Sequence, residues 1–156
     1  MYARIDFNKY VSSNLGQAML ALSGAVGGAG LERSLLELVR LRASQMNHCA
    51  YCIDMHTKDA RAQGETEQRL YALTAWQETP FYSERERAAL EWTEALTRVG
   101  ETHVPDDIFE RARHHFDESE LVALTFAVVV INSWNRLAVS FRVPVGTYQP
   151  QAVAHA

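Results

Sequence analysis

The 156-residue chain has only two cysteines and four prolines, and no stretch alternates polar and apolar residues as β-strands do. Two cysteines form at most one cross-link, which excludes a fold stapled by several disulfides. Because 47% of the residues are apolar, a single domain of this size can bury a core without a disulfide or a metal. The two cysteines are therefore not required as a structural cross-link.

An excess of positive charge is also missing. The chain has 15 Lys and Arg against 19 Asp and Glu, a formal net charge of -4, and its arginines lie between acids along the predicted helices. Nucleic-acid-binding proteins carry a basic patch or stripe. We therefore expect no nucleic-acid partner.

Long apolar runs are absent as well. Residues 1–9 lack the apolar region of a signal peptide. The longest near-continuous apolar run, 121–131, is shorter than the ~20 residues that span a bilayer. We expect a cytoplasmic protein with no membrane partner. In that compartment a cysteine pair is more often catalytic or metal-binding than structural.

Helical periodicity runs through nearly the whole chain and predicts an all-α fold in one domain, 1–156. Apolar residues recur at spacings of three and four along the first helix: Val11, Leu15, Ala18, Leu22 and Val26. A glycine-rich segment, 27–30, ends it. The second helix is predicted at 31–46. Asn47 is then the N-cap of a third helix that begins near Cys49 and ends before Gly64.

The second half of the chain continues the helical pattern. A short helix is predicted at 66–75, followed by a loop at 76–82. Ser83 and Glu86 form a capping-box pattern that opens a helix ending near residue 98.

Two further helices complete the prediction. Pro105 is expected at the first position of a short helix ending near residue 116. Asp117 and Glu120 resemble a cap for the last helix, 118–141. That helix is apolar on nearly all sides, which predicts a central position in the fold or in a subunit interface. Residues 143–156 are expected to form an extended arm.

Two cysteines and a histidine at helical spacing carry the chemistry. If Cys49 opens a helix, Cys49, Cys52 and His56 lie at i, i+3 and i+7 on one face. Cα atoms three residues apart in a helix are about 5 Å apart, within the range that a disulfide accepts. The pair can therefore close and reopen with little backbone movement.

The start of a helix also favours a thiolate, because its free N–H groups and dipole stabilise negative charge and lower a thiol's pKa. His56 lies one turn beyond Cys52 and is placed to accept its proton. Glu37 reaches this pair only if the break near Asn47 folds its helix back. Glu37 then orients His56 or shuttles a proton through water.

Two non-catalytic roles for the cysteines stay open. The first is a structural zinc site with Cys49, Cys52 and either His48 or His56 as ligands, although no second ligand pair has zinc-finger spacing. The second is inert packing, because free cysteine is commonly buried.

The spacing Glu-x(11)-Cys-x-x-Cys-x-x-x-His resembles the core of the AhpD-like alkylhydroperoxidases, within the carboxymuconolactone decarboxylase family. The segment from Cys49 to Arg61 reads like members of that group. The segments 82–90 and 131–137 also fit. The resemblance covers about residues 5–145, and the cysteine-centred motif is its most specific part.

The resemblance implies an all-α AhpD-like helix bundle, assembled as a homo-trimer or homo-hexamer, that reduces hydroperoxides through a dithiol cycle without a bound cofactor. By position, Cys52 matches the peroxide-attacking cysteine and Cys49 the resolving one. His56 and Glu37 match members of the proton relay. The disulfide is then reduced by an external dithiol, in some members through a lipoyl-type partner.

Residue chemistry alone leaves the nucleophile open. In thioredoxin-like Cys-x-x-Cys motifs the first cysteine attacks, which favours Cys49, whereas His56 lies nearer Cys52. We predict Cys52. The chain departs from the family pattern at Tyr51, where the best-known members have histidine, and at His48, where a small residue is more usual. We interpret His48 as an exposed neighbour rather than a substitute base.

A polar and aromatic cluster interrupts the otherwise apolar last helix: Asn132, Trp134, Asn135 and Arg136. It is either a wall of the thiol pocket or a buried hydrogen-bonding group that fixes helix packing, and we favour the second. Trp76 and Trp92 are predicted to be core or interface anchors. His103, His114 and His115 are predicted to be solvated.

Two rival functions remain beside the peroxidase. A non-redox enzyme like carboxymuconolactone decarboxylase would need no cysteine pair. A redox sensor or partner-binding module would use the disulfide to change assembly rather than to turn over substrate.

Overall fold

The computed structural model describes residues 2–150. Within them the chain is all-helical, with nine α-helices, one 3-10 helix and no strand. In chain order these are α1 Asn8–Val11, α2 Asn14–Gly27, α3 Arg33–Met46, α4 Ala50–Ala62, α5 Glu67–Ala72, the 3-10 helix Leu73–Glu78, α6 Glu84–Thr97, α7 Val99–Thr102, α8 Asp106–His115 and α9 Glu118–Phe141. The all-α prediction is confirmed.

Helix α3 lies at the centre of the bundle and packs against α4, α6 and α9. It buries residues on most of its sides, including Leu36, Leu38 and Leu41, which are at most 1% exposed. The largest core cluster joins α3 to α6 and α9, and a second joins it to α4 and the 3-10 helix. Because α3 is enclosed on several sides, polar residues on it become buried as well, and this places Glu37 inside the protein.

Helix caps read from the sequence are confirmed where they are local. Ser83 with Glu86 opens α6 and Asp117 with Glu120 opens α9, each as a reciprocal capping box. Gly64 lies just after α4 with φ 96°, in the left-handed region that a helix C-terminus needs. These signals involve residues at most four positions apart, so tertiary context does not override them.

The junction between α3 and α4 differs from the prediction. Asn47 ends α3 as its C-cap and does not cap α4. Cys49 takes the N-cap position of α4, and its sulfur accepts from the N–H of Cys52 at 3.4 Å. His48 has φ 52°, and this left-handed residue turns the chain between the two helices. The Cys49 sulfur itself therefore supplies the capping acceptor.

The predicted first helix is divided in two. Val11 ends α1, and α2 begins only at Asn14, after the Ser13 side chain caps it. The predicted apolar stripe is wrong in part, since Leu15 is 83% exposed. Gly16 permits the close approach of the two helices, because a Cβ there would lie 2.3 Å from the carbonyl oxygen of Val11.

Other boundaries differ by a few residues. The second helix starts at Arg33 rather than residue 31. Residues 76–78 belong to the 3-10 helix and not to a loop, because the side chain of Trp76 is buried in the second core cluster. Pro105 occupies the N-cap of α8, one position before the predicted site.

Helix α9 matches its predicted bounds of 118–141. Its 24 residues, and a mean hydropathy of 1.5 over its most apolar 18-residue window, make it long and apolar enough to cross a membrane by those two measures, although the run 121–131 alone is too short. Half of its most apolar window is buried in the bundle, as in a core helix. Val122, Phe126 and Val129 remain exposed on its outer face.

The described part of the predicted C-terminal arm, 143–150, has no helix or strand. It runs beside α4, where Lys58 Nζ donates to the carbonyl oxygen of Tyr148 at 3.1 Å and the Tyr148 hydroxyl donates to Asp59 Oδ1 at 2.7 Å. Residues 151–156 lie outside the described residues.

Candidate active site

The two cysteines lie at the N-terminus of α4 and are joined in a disulfide, with their Cα atoms 5.4 Å apart. This agrees with the separation of about 5 Å expected from helix geometry. Both residues are buried, at 1% exposure for Cys49 and 2% for Cys52. When reduced, Cys49 Sγ lies where the N–H groups of the first turn stabilise negative charge.

His56 and Glu37 are brought together as the sequence predicted. The turn at 47–49 folds α4 back onto α3, so that His56 Nδ1 and Glu37 Oε2 lie 2.8 Å apart, with both residues buried. Arg40, one turn further along α3, donates from Nη1 to Glu37 Oε1 at 2.6 Å. Glu37 therefore holds the imidazole with one carboxylate oxygen and the guanidinium with the other.

The charge of Glu37 is favoured despite its burial. Burial by itself raises the pKa of this carboxyl, but the hydrogen bond and charge of His56 and the guanidinium of Arg40 together outweigh it, and the pKa lies below its ordinary value. An ionised Glu37 accepts from His56 Nδ1–H, which fixes the neutral tautomer whose Nε2 is free to accept a proton.

The second ring nitrogen of His56 remains available. No atom of residues 2–150 hydrogen bonds to Nε2, and this atom is not among the buried polar atoms without a partner. Nε2 therefore keeps some solvent exposure, and His56 lines the cavity described below. His56 can exchange a proton there while Nδ1 stays on Glu37.

A cavity of about 520 Å³ reaches both Cys52 and His56. Its walls come from α1, α2, α3, α4 and α9 and are mostly apolar, with Phe7, Leu20, Val130 and Trp134 among them. Cys49 does not line this cavity; it is 1% exposed and packs in a cluster with Ala43, Cys52 and Ile131. Of the two sulfurs, the cavity is therefore closer to that of Cys52.

The polar cluster of α9 has two separate roles. Asn47 Nδ2 donates to Asn132 Oδ1 at 3.0 Å and to Asn135 Oδ1 at 2.9 Å, and Asn135 in turn donates to Ser44 Oγ at 3.0 Å. These bonds tie the α3–α4 junction to two buried residues of α9 and so hold Cys49 in place, as the packing interpretation predicted.

The other two members of the cluster lie beside this network. Arg136 donates to Asn132, whereas Trp134 lines the cavity and donates from Nε1 to Ser23 Oγ at 2.9 Å. For Trp134 alone, the pocket-wall interpretation is correct.

Sequence reasoning missed two neighbours of the buried pair, Asp59 and Tyr148. Oxygens of Asp59 and Glu37 and a ring nitrogen of His56 all lie within 4.8 Å of one another. Burial raises the pKa of Asp59, with the charge of Glu37 adding to the rise and the Tyr148 hydroxyl opposing it. Asp59 follows His56 by three residues, so helical spacing could have indicated it. Tyr148 lies 89 residues from Asp59 in the chain, and no local pattern marks it as a partner.

These three groups are also the set among residues 2–150 that could hold a metal ion. The set differs from the cysteine-based zinc site considered from the sequence, since the two sulfurs bond to each other and His48 is exposed. Arg40 already occupies one oxygen of Glu37. The arrangement fits a proton relay better than a cation site, because a guanidinium competes with a cation for the same carboxylate.

The remaining candidates take their predicted places except His115, which was predicted to be solvated and is less exposed than that. His103 and His114 are exposed and His115 is half-buried. Trp76 and Trp92 are buried, and their indole N–H groups donate to Glu94 and Thr125. Tyr51, between the cysteines, is half-buried and lines the cavity.

Comparison with known proteins gives a consistent family. Residues 14–95 match the model of the carboxymuconolactone decarboxylase family. The chain is 50% identical over 112 residues to the uncharacterised protein YdfG of Bacillus subtilis (strain 168), covering 72% of this chain and 76% of that one. It is 30% identical over 114 residues to the uncharacterised protein YnjA of Escherichia coli (strain K12), covering 73% of this chain and 62% of YnjA.

Two solved structures superpose on this chain. A protein of unknown function from Agrobacterium tumefaciens, ATU0492, provisionally assigned as the antioxidant defence protein AhpD, superposes with a TM-score of 0.90 at 43% identity, covering 94% of this chain and 100% of that one. The debrominase Bmp8 superposes with a TM-score of 0.74 at 18% identity, covering 86% and 72%. At that identity the second likeness concerns the fold alone.

Proposed function

The chain belongs to the carboxymuconolactone decarboxylase family, and we propose that it acts in the AhpD-like manner, as a peroxidase that reduces hydroperoxides through its Cys49–Cys52 dithiol. The observation that carries this proposal is the joint exposure of Cys52 and His56 to one cavity, with Glu37 behind the imidazole at 2.8 Å. A nucleophile, a base and an orienting carboxylate in that order are the parts that nucleophilic catalysis needs.

The first step is attack on the peroxide by Cys52. His56 Nε2 takes the thiol proton, and the thiolate attacks the terminal oxygen, so that an S–O bond forms and the O–O bond breaks. The alkoxide leaves with the proton from His56 as an alcohol. Cys52 becomes a sulfenic acid, and Glu37 stabilises the imidazolium that forms in between.

The second step closes the disulfide. The Cys49 thiolate, favoured at the helix N-cap, attacks Cys52 Sγ, the S–O bond breaks, and hydroxide leaves as water after gaining a proton. Since helix geometry by itself sets these Cα atoms about 5 Å apart, and they lie 5.4 Å apart in the disulfide, we expect the ring to close with little movement of α4. The peroxide has gained two electrons and the two thiols have lost them.

An external dithiol completes the cycle by thiol–disulfide exchange. The cavity reaches Cys52 and not Cys49, so we expect the reductant to form its mixed disulfide with Cys52 and to release Cys49 as a thiolate at the helix N-terminus. A narrow, extended dithiol such as a lipoyl-type arm can reach that sulfur. The leaving group is then the thiolate that the helix dipole stabilises best.

The test is a titration of the reduced protein with a hydroperoxide, followed by counting free thiols. We expect one equivalent to remove both thiols, and Cys52→Ser to abolish the reaction. Retention of both thiols under mild peroxide excess would show that the protein is not a peroxidase.

Two alternatives have their own signatures. A non-redox enzyme of the decarboxylase type would keep full turnover of its substrate in a double Cys→Ser variant. A redox sensor would change oligomer size on oxidation without multiple turnovers. Size-exclusion chromatography of reduced and oxidised samples, beside a turnover assay, separates both from the peroxidase.

Assembly and location form part of the proposal. Helix α2 carries no charged residue from Asn14 to Gly27, and it is largely exposed, as are four large apolar residues of α9, Val122, Phe126, Val129 and Val139. Such apolar faces favour a homo-oligomer, which we propose to be a trimer or hexamer. A dithiol cycle also needs a reducing compartment, which favours the cytoplasm.

A further inference from the structure

The cavity above Cys52 is far larger than the smallest peroxide needs. Its volume of about 520 Å³ equals the share of roughly 17 waters, at ~30 Å³ each. Hydrogen peroxide would fill only a small part of it. A space of this size with apolar walls is typical of pockets that enclose an organic molecule.

Many walls of the cavity come from outside the part of the chain that matches the family model. Residues 14–95 include Cys52 and His56, whereas Phe7, Val130 and Trp134 lie before or after that range. The N-terminal wall is held in place, because the ring of Phe7 stacks on Phe141 at 5.5 Å and the Arg4 N–H donates to the Phe141 carbonyl at 3.0 Å. The reactive residues therefore lie within the matched range, whereas half of the residues that line the cavity lie outside it.

One cationic side chain stands among these apolar walls. Arg40 lines the cavity, and its side chain is 21% exposed. Only Nη1 is used, on Glu37, while Nη2 and Nε donate to no atom of residues 2–150. Neither nitrogen is among the buried polar atoms without a partner, so both are still accessible.

The unused donors of Arg40, Nη2 and Nε, limit which chemical groups a ligand of this cavity can carry. A wholly apolar molecule that filled the cavity would strip water from Nη2 and Nε and leave two donors unpaired, which is costly for a charged group. A carboxylate satisfies both donors in the fork geometry of a guanidinium. Glu37 does not repel it strongly, since its charge is already shared between Arg40 and His56.

We propose that the substrate is a hydroperoxide on an apolar organic body that also carries a carboxylate, with the carboxylate on Arg40 and the peroxide at Cys52. This rests on the proposed peroxidase function and adds to it a substrate class and a specificity-determining residue. A lipid-derived acid hydroperoxide has this combination of an apolar chain, an acid and a peroxide.

The first experiment compares three peroxides: linoleic acid hydroperoxide, its methyl ester, and hydrogen peroxide. We expect kcat/KM for the acid to exceed that for the ester by about tenfold, which is the effect of one good charged hydrogen-bond pair. In Arg40→Gln the acid-to-ester ratio falls to about one. The ratio is the readout, because loss of the Arg40–Glu37 pair lowers both rates together.

A pair of glycine variants tests the cavity itself. Gly24 lines it, and a Cβ at Gly24 meets no atom within 4 Å, so Gly24→Leu can add bulk to the cavity without a clash at Cβ. We expect kcat/KM for linoleic acid hydroperoxide to fall by about tenfold, and more than for hydrogen peroxide. Gly27→Leu is the matched control on α2, since Gly27 is equally open and does not line the cavity.

Binding without chemistry separates this inference from the peroxidase function. In Cys52→Ser, dodecanoate should change the fluorescence of Trp134 in the wall, and its methyl ester should bind about tenfold more weakly. The Trp134→Phe variant removes the signal. Equal binding of acid and ester, or equal kcat/KM for both hydroperoxides, overturns the role of Arg40 while the dithiol cycle stands.

Failure of the proposed peroxidase function would give a different experimental result from failure of the proposed role of Arg40. If no hydroperoxide oxidises Cys52 while dodecanoate still binds through Arg40, the acid site is real and the reaction is another one. If kcat/KM for linoleic acid hydroperoxide equals kcat/KM for hydrogen peroxide in the wild-type protein, and the same is true in Gly24→Leu, the cavity does not select the substrate.

Discussion

Glu37→Gln removes the negative charge between His56 and Arg40 and keeps the size of the side chain. Glu37 is 5% exposed, and both of its oxygens are engaged, at 2.8 Å with His56 and at 2.6 Å with Arg40. Breaking a buried ion pair costs about 3–5 kcal/mol, and the partial exposure of Arg40 reduces this to roughly 2–3 kcal/mol. For a chain of this length the Tm should fall by about 4–12 °C.

The same variant should slow peroxide reduction. Without the carboxylate, the Nδ1–H tautomer of His56 is no longer held, so Nε2 is a less reliable base for Cys52. General-base catalysis contributes about 10²–10⁴-fold, and losing the orienting group should remove roughly 10–100-fold of it. The assay is stopped-flow oxidation of the reduced protein by cumene hydroperoxide at pH 7.

Glu94→Gln is the matched control. Glu94 forms a comparable pair with Arg42 at 2.7 Å, and it also accepts from Trp76 at 2.7 Å, but it does not line the cavity. It should lose stability and keep its rate of oxidation. If Glu37→Gln loses stability to the same extent as Glu94→Gln and reacts with peroxide as fast as the wild type, Glu37 has only a structural role and the relay is wrong.

Four further results are expected. Because the fold lowers the pKa of Glu37, the stability that its charge contributes is complete above the unfolded pKa of about 4.3 and fades as the pH falls toward the folded value. The difference in free energy of unfolding between wild type and Glu37→Gln, measured by urea titration, should therefore shrink from pH 6 to pH 3. A constant difference would contradict this. Asn135→Ala removes the hydrogen bonds that Asn135 accepts from Asn47 and donates to Ser44, and it should cost about 2 kcal/mol in the same assay, whereas a loss below ~0.5 kcal/mol would mean that these bonds are not formed. Gly16→Ala should destabilise the protein by about 1–3 kcal/mol, because its Cβ meets the Val11 carbonyl, while Gly27→Ala, in open space, should stabilise it by about 0.5–1 kcal/mol. Tyr148→Phe should raise the pKa of Asp59 further, as measured by carboxyl NMR, since the hydroxyl donates to the ionised acid; an unchanged pKa would show that the two groups do not meet.

The parts of the site that the sequence predicts are those set by spacing along one helix. Cys49, Cys52 and His56 lie on α4, and their relation follows from 3.6 residues per turn. Glu37 is different, because it is on another helix and reaches His56 only after the turn at Asn47–Cys49. Its pairing could be proposed from the sequence but needed the fold to establish the 2.8 Å contact.

Contacts between segments that are distant in the chain could not be predicted from the sequence. Asn47 has the chemistry of an N-cap, yet its amide bonds to Asn132 and Asn135, 85 and 88 residues away, and Cys49 takes the cap instead. Likewise nothing local marks Tyr148 as a partner of Asp59. The capping preference of a side chain indicates which hydrogen bonds it is able to form, whereas the packing of the whole fold determines which partner it contacts.

The first helix shows the same limit in its backbone. Its apolar spacing is helical throughout, but the chain breaks between Val11 and Asn14 because Ser13 caps a new helix and Gly16 allows α1 to cross closely. This break places Phe7 and Val11 over Cys52 as walls of the cavity. The size and lining of the cavity, and with them the role of Arg40, follow from this crossing and could not be read from periodicity.

The proposed cycle depends on Cys52 attacking the peroxide and Cys49 resolving the sulfenic acid. The most direct measurement uses Cys49→Ser, treated with one equivalent of hydroperoxide in the presence of dimedone and mapped by peptide mass spectrometry. We predict a sulfenic-acid adduct on Cys52, and no adduct on Cys49 in the reciprocal Cys52→Ser variant. An adduct on Cys49 in Cys52→Ser, with none on Cys52 in Cys49→Ser, would contradict this assignment.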